Sequence, residues 1–296
     1  MLLLILAHSP EETWMTAPSV LSTPPAADVR GPTAGASAGA AEGGAPPCCL
    51  NCGTDRLGAY CHVCGQHYLD ERLSVRQLRD EFVSRTFNLD QGLLRTFAEL
   101  CRDPGGVVRR YVGGQRRRYI SPFSYLFLGT ALYLLTFGLI HDDFAAWMEA
   151  QEANTEAFMT PEQTDAYTAL LLGSTRYSAA LSLFMCVPFG LLLRLFFRKH
   201  GVNVVETTIF ALFTLGHVSL LNGLATPILL LFGASVNTHL AVGIGLYPLV
   251  CGFAAAGFFG RRIGAVLKTE AAIAITFTFV SLGLSTAVVA YVLLFV

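Results

Sequence analysis

The chain has 296 residues, 53% of them hydrophobic and 14% charged, with a formal net charge of −1. A soluble domain carries about 25% charged residues, and here the deficit is local: no Lys, Arg, Asp or Glu occurs from Thr207 to Gly260 or from Ala271 to Val296. No charged shell is encoded to hide such runs in water, and the near-neutral balance excludes a globally basic nucleic-acid binder; the composition is that of an integral membrane protein with a soluble N-terminal third.

The apolar stretch Leu2 to Ala7 has no base before it and falls short of the roughly 7–15 residues of a signal-peptide core, so it reads as an unstructured start. Residues 16–47 are dominated by Ala, Gly, Pro, Ser and Thr. They lack the apolar surface to offset ordering entropy, and 1–47 is expected to be a disordered tail.

Residues 48–68 carry two matching elements, Cys49-Leu-Asn-Cys52-Gly53 and Cys61-His-Val-Cys64-Gly65. Each Cys-x-x-Cys turn aims two sulfurs at one point, and four thiolates complete a closed tetrahedral site, so Cys49, Cys52, Cys61 and Cys64 are expected to hold one structural Zn2+ in a ribbon. With so little core, zinc would supply most of the folding free energy. Two disulfides are the competing reading, disfavoured by the reducing side of the membrane that the charge pattern assigns. A redox pair normally comes singly, in a larger α/β domain. Cys48 is a spare in a shifted register, and His62 and His67 read as solvated. Cys101, Cys186 and Cys251 read as small packing residues.

Residues 69–119 form an amphipathic helical linker, placed at the cytoplasmic membrane surface. Val75, Leu78 and Phe82 recur at helical spacing, as do Leu93, Leu94, Phe97, Leu100 and Cys101. Asp90 is a candidate N-cap, Asp103-Pro104-Gly105-Gly106 a stop, and Val107 to Val112 a third short helix. The cluster Arg109, Arg110, Arg116, Arg117 and Arg118 has two readings of equal weight. Each base near an anionic leaflet is worth about 1 kcal/mol, which makes lipid headgroups a partner; equally, the arginines only fix topology. Nucleic acid is a weaker third partner, since no aromatic–basic stacking face is evident.

From residue 120 to 296 a membrane bundle is expected, with spans at about 121–140, 177–197, 207–232, 239–259 and 271–295, each near the 20 apolar residues that cross a bilayer. The third and fourth join at Gly233-Ala-Ser-Val-Asn-Thr238. Eleven bases lie between Arg72 and Arg118, three sit at the end of the second span (Arg194, Arg198, Lys199), and Arg261, Arg262 and Lys268 separate the last two. Segment 141–176 holds seven acidic residues against Arg176 alone. Alternate loops are therefore basic, which puts the N-terminus in the cytoplasm and the C-terminus outside.

Within the spans, Ser178, Ser182, Cys186, Gly190 and Arg194 share one face of small residues suited to close helix packing. Arg194 is expected to snorkel to headgroups, with a buried anion or headgroup contact as the alternative. His217 and Asn222 lie mid-span. Such a group is a functional candidate by default, although a neutral His bonded to a neighbouring helix is commoner. No predicted span has an interior Asp or Glu, so a carboxylate proton relay is not expected. No His-Glu-x-x-His occurs. Ser235 with His217 and His239 is dismissed as a serine-protease site because Ser235 falls in a connection. His141-Asp142-Asp143 reads as a solvated helix end.

The Cys-x-x-Cys-Gly pair ending in Tyr60-Cys61-His-Val-Cys64-Gly65-Gln66 is followed by Phe87-Asn-Leu-Asp-Gln-Gly-Leu-Leu-Arg-Thr96, then Asp103-Pro-Gly-Gly106 and Tyr111-Val-Gly-Gly-Gln-Arg-Arg-Arg-Tyr-Ile-Ser-Pro122. Together these resemble bacterial membrane proteins grouped as domain-of-unknown-function family 3667, over about residues 49–135. The resemblance implies a zinc ribbon, a short linker and a membrane bundle in a bacterial inner membrane; it implies no reaction. The expectation is an all-α membrane bundle of about five spans with an N-terminal zinc ribbon. It is read as a non-enzymatic interaction or regulatory protein, its ribbon presented to a cytosolic or membrane partner. The alternative is a channel, transporter or lipid-handling protein regulated by the ribbon, and a lipid-acting enzyme is a third reading with nothing specific behind it.

Overall fold

A computed structural model describes residues 48–55, 57–67, 92–152, 178–260 and 263–295. The chain divides into two compact units, Met1–Pro46 and Pro47–Val296. The first lies outside the described residues, as do the Val75–Phe82 periodicity, Asp90, the acidic residues beyond Glu152, and Arg261 and Arg262.

Among the described residues, regular structure is helical apart from two isolated antiparallel bridges. The helices are α1 (Leu93–Arg102), α2 (Pro104–Val112), α3 (Pro122–Phe137), α4 (His141–Glu152), α5 (Ser178–Phe196), α6 (Val204–Leu231), α7 (Val236–Phe258) and α8 (Ile263–Phe295). Among the described residues, four stretches are long and apolar enough to cross a membrane: Pro122–Ala150, Val204–Leu231, Val236–Phe258 and Ile263–Gly283. Phe184–Phe196, within α5, is a shorter apolar helix.

α6 is the axis of the bundle. A capping box opens it, with the Asn203 side chain accepting from the Glu206 amide and Glu206 accepting from the Asn203 amide, and every residue from Ile209 to Leu220 is buried. α3 runs parallel to it, Leu126 beside Gly216 and Tyr133 beside Gly223. α5 and α7 run antiparallel to α6, with Gly190 against Thr208 and Phe258 against Phe210, and α8 returns along α7 through Tyr247 and Phe277. Small residues set these distances: a Cβ on Gly216 would sit 2.8 Å from the Leu126 Cα.

Leu126, in the second turn of α3, stands beside the middle of α6, so the earlier turns of α6 pack against the short helices instead. Tyr111 of α2 is fully buried, its ring 5.2 Å from that of Phe213. The Asp103-Pro104-Gly105-Gly106 stretch stops α1 as expected, but it also starts α2. Asp103 Oδ1 accepts from the Gly106 amide at 2.9 Å with Pro104 in the first turn. Gly105 and Gly106 would each cost about 1 kcal/mol in an exposed helix interior. Here Gly105 lies against the backbone of Ala254 and Gly257, where a Cβ on Gly257 would come 2.9 Å from the Gly105 Cα. The helix predicted over Val107 to Val112 thus begins three residues early.

All the described Lys and Arg residues lie at the end of the bundle where α3, α6 and α8 start and α5 and α7 finish. The opposite end carries Asp142, Asp143, Glu149 and Glu152. The fifth predicted span, 271–295, lies within α8, whose helix starts eight residues earlier. α8 begins at Ile263, so Glu270 lies inside a membrane-length helix, against the expectation that no span holds an acidic residue. Its charges Lys268 and Glu270 hid the helix start from a reading based on apolar runs.

Candidate metal centre

The two cysteine turns have the same backbone. In the first, the Cys49 amide donates to the Thr54 carbonyl (2.7 Å) and the Gly53 amide to the Cys49 carbonyl (2.8 Å); in the second, Cys61 donates to Gln66 and Gly65 to Cys61, both at 2.8 Å. Gly53 and Gly65 close the turns at φ 76° and 67°, a region that costs other residues about 1–2 kcal/mol. One bridge flanks each turn, Cys48 with Asp55 and Tyr60 with His67.

This arrangement brings four sulfurs together. The Sγ atoms of Cys49, Cys52, Cys61 and Cys64 all lie within 4.8 Å of one another, with Cys49–Cys64 at 3.6 Å and Cys52–Cys61 at 3.4 Å. A disulfide needs about 2.05 Å, whereas Zn–S bonds of about 2.3 Å in a tetrahedron put sulfurs about 3.8 Å apart. The four cysteines therefore form a group that could hold a metal ion. Burial pushes the Cys64 thiol up to about 12; the Gln66 amide opposes this and the three neighbouring thiols reinforce it. Cys48 lies outside the group, and the His67 ring packs edge-on to Tyr60 at 4.7 Å.

The cysteine unit is docked on the segment that leads into α3. Gln66, nearly fully buried, donates to the Gly114 carbonyl at 2.7 Å, and its Oε1 accepts from the Arg116 and Arg117 amides at 3.2 and 3.3 Å. Arg117 Nε donates to the Cys64 carbonyl (3.2 Å), and the Arg118 amide donates to Asn51 Oδ1 (3.1 Å). Leu50 covers Gly114, whose φ of 109° and lack of Cβ permit the approach.

The arginines read as lipid contacts or topology markers thus have partners within the protein. Arg109 bonds the Gly257 carbonyl. Arg110 pairs with Glu99 and Asp103 at 3.2 Å each and donates to the Tyr119 hydroxyl at 2.7 Å. Arg118 pairs with Glu99 at 2.7 Å. Arg116 is buried, with Nε and Nη1 unbonded. Sequence reading quoted Gln66 only as the end of the second cysteine motif and gave it no role, and it missed Glu99, which stands in no motif; both organise this region.

Among the intramembrane candidates, His217 is buried, its Nδ1 2.7 Å from the Tyr125 hydroxyl on α3 and its Nε2 3.7 Å from Cys101 Sγ on α1. Cys101 is exposed rather than packed away, whereas Cys186 and Cys251 are buried. Asn222 is half-buried, its amide facing Gly243. Arg194 is half-buried near the end of α5. These residues do not converge on one site.

A family described as "Protein of unknown function (DUF3667)" matches residues 90–134. That stretch comprises α1, α2, the arginine segment and most of α3, and it agrees with the resemblance read from the motifs, although the cysteine turns lie outside it. No curated protein and no solved structure matches the chain.

Proposed function

We propose that Cys49, Cys52, Cys61 and Cys64 hold one structural Zn2+ and that the protein is a non-enzymatic interaction or regulatory protein of the membrane. The observation that carries this reading is the Gln66 dock. Metal binding would fix the two turns, and the turns grip the backbone of Gly114 to Arg118, directly ahead of α3. Zinc would supply cross-linking only, since four cysteine ligands leave no open position for substrate. The exposed Leu57, Tyr60 and Val63 give the ribbon an apolar surface for a protein partner. The basic end of the bundle, with the ribbon, faces the cytoplasm on this reading, and five helices cross the bilayer, placing the C-terminus outside.

The test is purification from native membranes after mild crosslinking, beside a Cys49→Ser/Cys61→Ser variant of equal abundance, with zinc measured on both. A protein that copurifies with the wild type and is lost with the zinc supports the reading. Identical partners in both samples, or lipid alone, overturn it. A second reading, a transporter, channel or lipid-handling protein regulated by the ribbon, is favoured by one observation, the carboxyl of Glu270 inside the bundle. Such a protein retains flux when residues 1–70 are removed.

A further inference from the structure

Glu270 turns onto α7. A Cβ on Gly252 would lie 2.7 Å from Glu270 Oε1 and 3.2 Å from Val266 Cγ1, so the carboxyl fills a notch that only glycine leaves open. Oε1 is shut off from solvent and has no hydrogen-bond partner, and the same holds for Oγ1 of the fully buried Thr269 beside it. No ion pair reaches Glu270 among the described residues. The ionisable groups on the elements packed against α8 are Cys251, Tyr247 and, near the start of the helix, His239 of α7, and Cys186 and Arg194 of α5. Thr214 of α6 bonds Cys251. On α8 itself, the Lys268 ammonium is directed away, lying 5.6 Å above the Phe197 ring. Gly252 precedes the end of α7 at Phe258 by six residues, about 9 Å at 1.5 Å per residue.

We propose that Glu270 is a proton-binding site inside the bundle, holding a neutral carboxylic acid against Gly252 and exchanging its proton with water at the basic end. Glu270 as a whole is half-buried, but a charge on the enclosed Oε1, with no partner in its apolar notch, is disfavoured against the neutral acid, so the closed α7–α8 contact is compatible with the neutral form. Loss of the proton places a charge where nothing pairs it and opens that contact towards the basic end. Ionisable groups within membrane spans commonly serve such exchange. The inference goes beyond the ribbon reading and does not depend on zinc.

The experiment uses the full chain in lipid vesicles and dicyclohexylcarbodiimide, which adds to protonated carboxyls in apolar surroundings. The expected result is one adduct on the peptide bearing Glu270, falling by about tenfold per pH unit above its midpoint and absent in Glu270→Gln. Infrared difference spectra give a readout independent of reagent access: the carbonyl band of a protonated carboxyl disappears in the same variant and titrates with pH in the wild type. Labelling indifferent to pH, or spectra unchanged by Glu270→Gln, overturn the proposal.

Discussion

The buried apolar cluster of the cysteine unit consists of Cys49 and Cys61 with Cys64 packed against them, whereas α6 alone buries twelve consecutive residues from Ile209 to Leu220. A unit without a core needs a cross-link, and the four converging thiols would supply one by holding the proposed metal. The bundle needs no such link; its helices meet at glycines, and dispersion contact does the rest. Between the two regions lies a third kind of contact, neither metal nor apolar, in which Gln66 meets three backbone groups. The contrast predicts that each region responds to a different insult.

The largest effect is expected at the proposed zinc site. Structural zinc contributes about 10–16 kcal/mol of apparent binding free energy in small cysteine domains, so Cys61→Ser, or a strong chelator, is expected to leave residues 48–67 unfolded and open to protease. Helix content, read by circular dichroism, stays at the wild-type level. Loss of helix together with metal would break the contrast by making the bundle depend on the cysteine unit.

The converse insult is Gly216→Val. Its Cβ alone would meet Leu126 Cα at 2.8 Å and N at 2.9 Å, and backbone cannot swing aside as a side chain can. Overpacking of this kind costs about 1–3 kcal/mol, and the backbone contact places it at the upper end. Thermal unfolding in detergent should show the loss, with zinc content unchanged.

Gln66→Ala strikes the junction. It leaves the Gly114 carbonyl and two arginine amides without partners at a cost of about 1–2 kcal/mol. Zinc stays bound while hydrogen exchange at Arg116 and Arg117 accelerates. Unchanged exchange at those amides would mean that Leu50 and Asn51 hold the dock without Gln66.

These contrasts also mark what the sequence made legible. The doubled Cys-x-x-Cys-Gly carries its own geometry, because the turn and its glycine are local, and apolar runs betray long helices for the same reason. The dock of Gln66, the burial of α2 and the notch at Gly252 are set by residues 48, 149 and 18 positions away, and no local rule links them. Gly105-Gly106 read as a stop because intrinsic propensity says so; contact with α7 overrides it. Glu270 was assigned to a loop because charge marks loops until a partner helix supplies a place for it.

The smallest predicted effect separates charge from contact in the network beneath the cysteine unit. Burial alone would raise the Glu99 carboxyl, but hydrogen bonds from Arg118 and Tyr119, then the charges of Arg118 and Arg110, outweigh it and hold Glu99 below the ordinary 4.5. A depressed carboxylate stabilises the fold above its unfolded value, and that contribution is lost as the pH falls through the folded value, here below 4.5. The side chains of Glu99, Arg110 and Arg118 are 20%, 35% and 42% exposed, so screening keeps the contribution under about 1 kcal/mol. Thermal melts of wild type and Glu99→Gln should therefore differ slightly at neutral pH and converge below pH 4.5. Curves that stay apart in acid would assign the network's worth to the 2.7 Å bond from the Tyr119 hydroxyl, a contact of the same neutral kind as the Gln66 dock, and the junction would then owe nothing to its arginine charges.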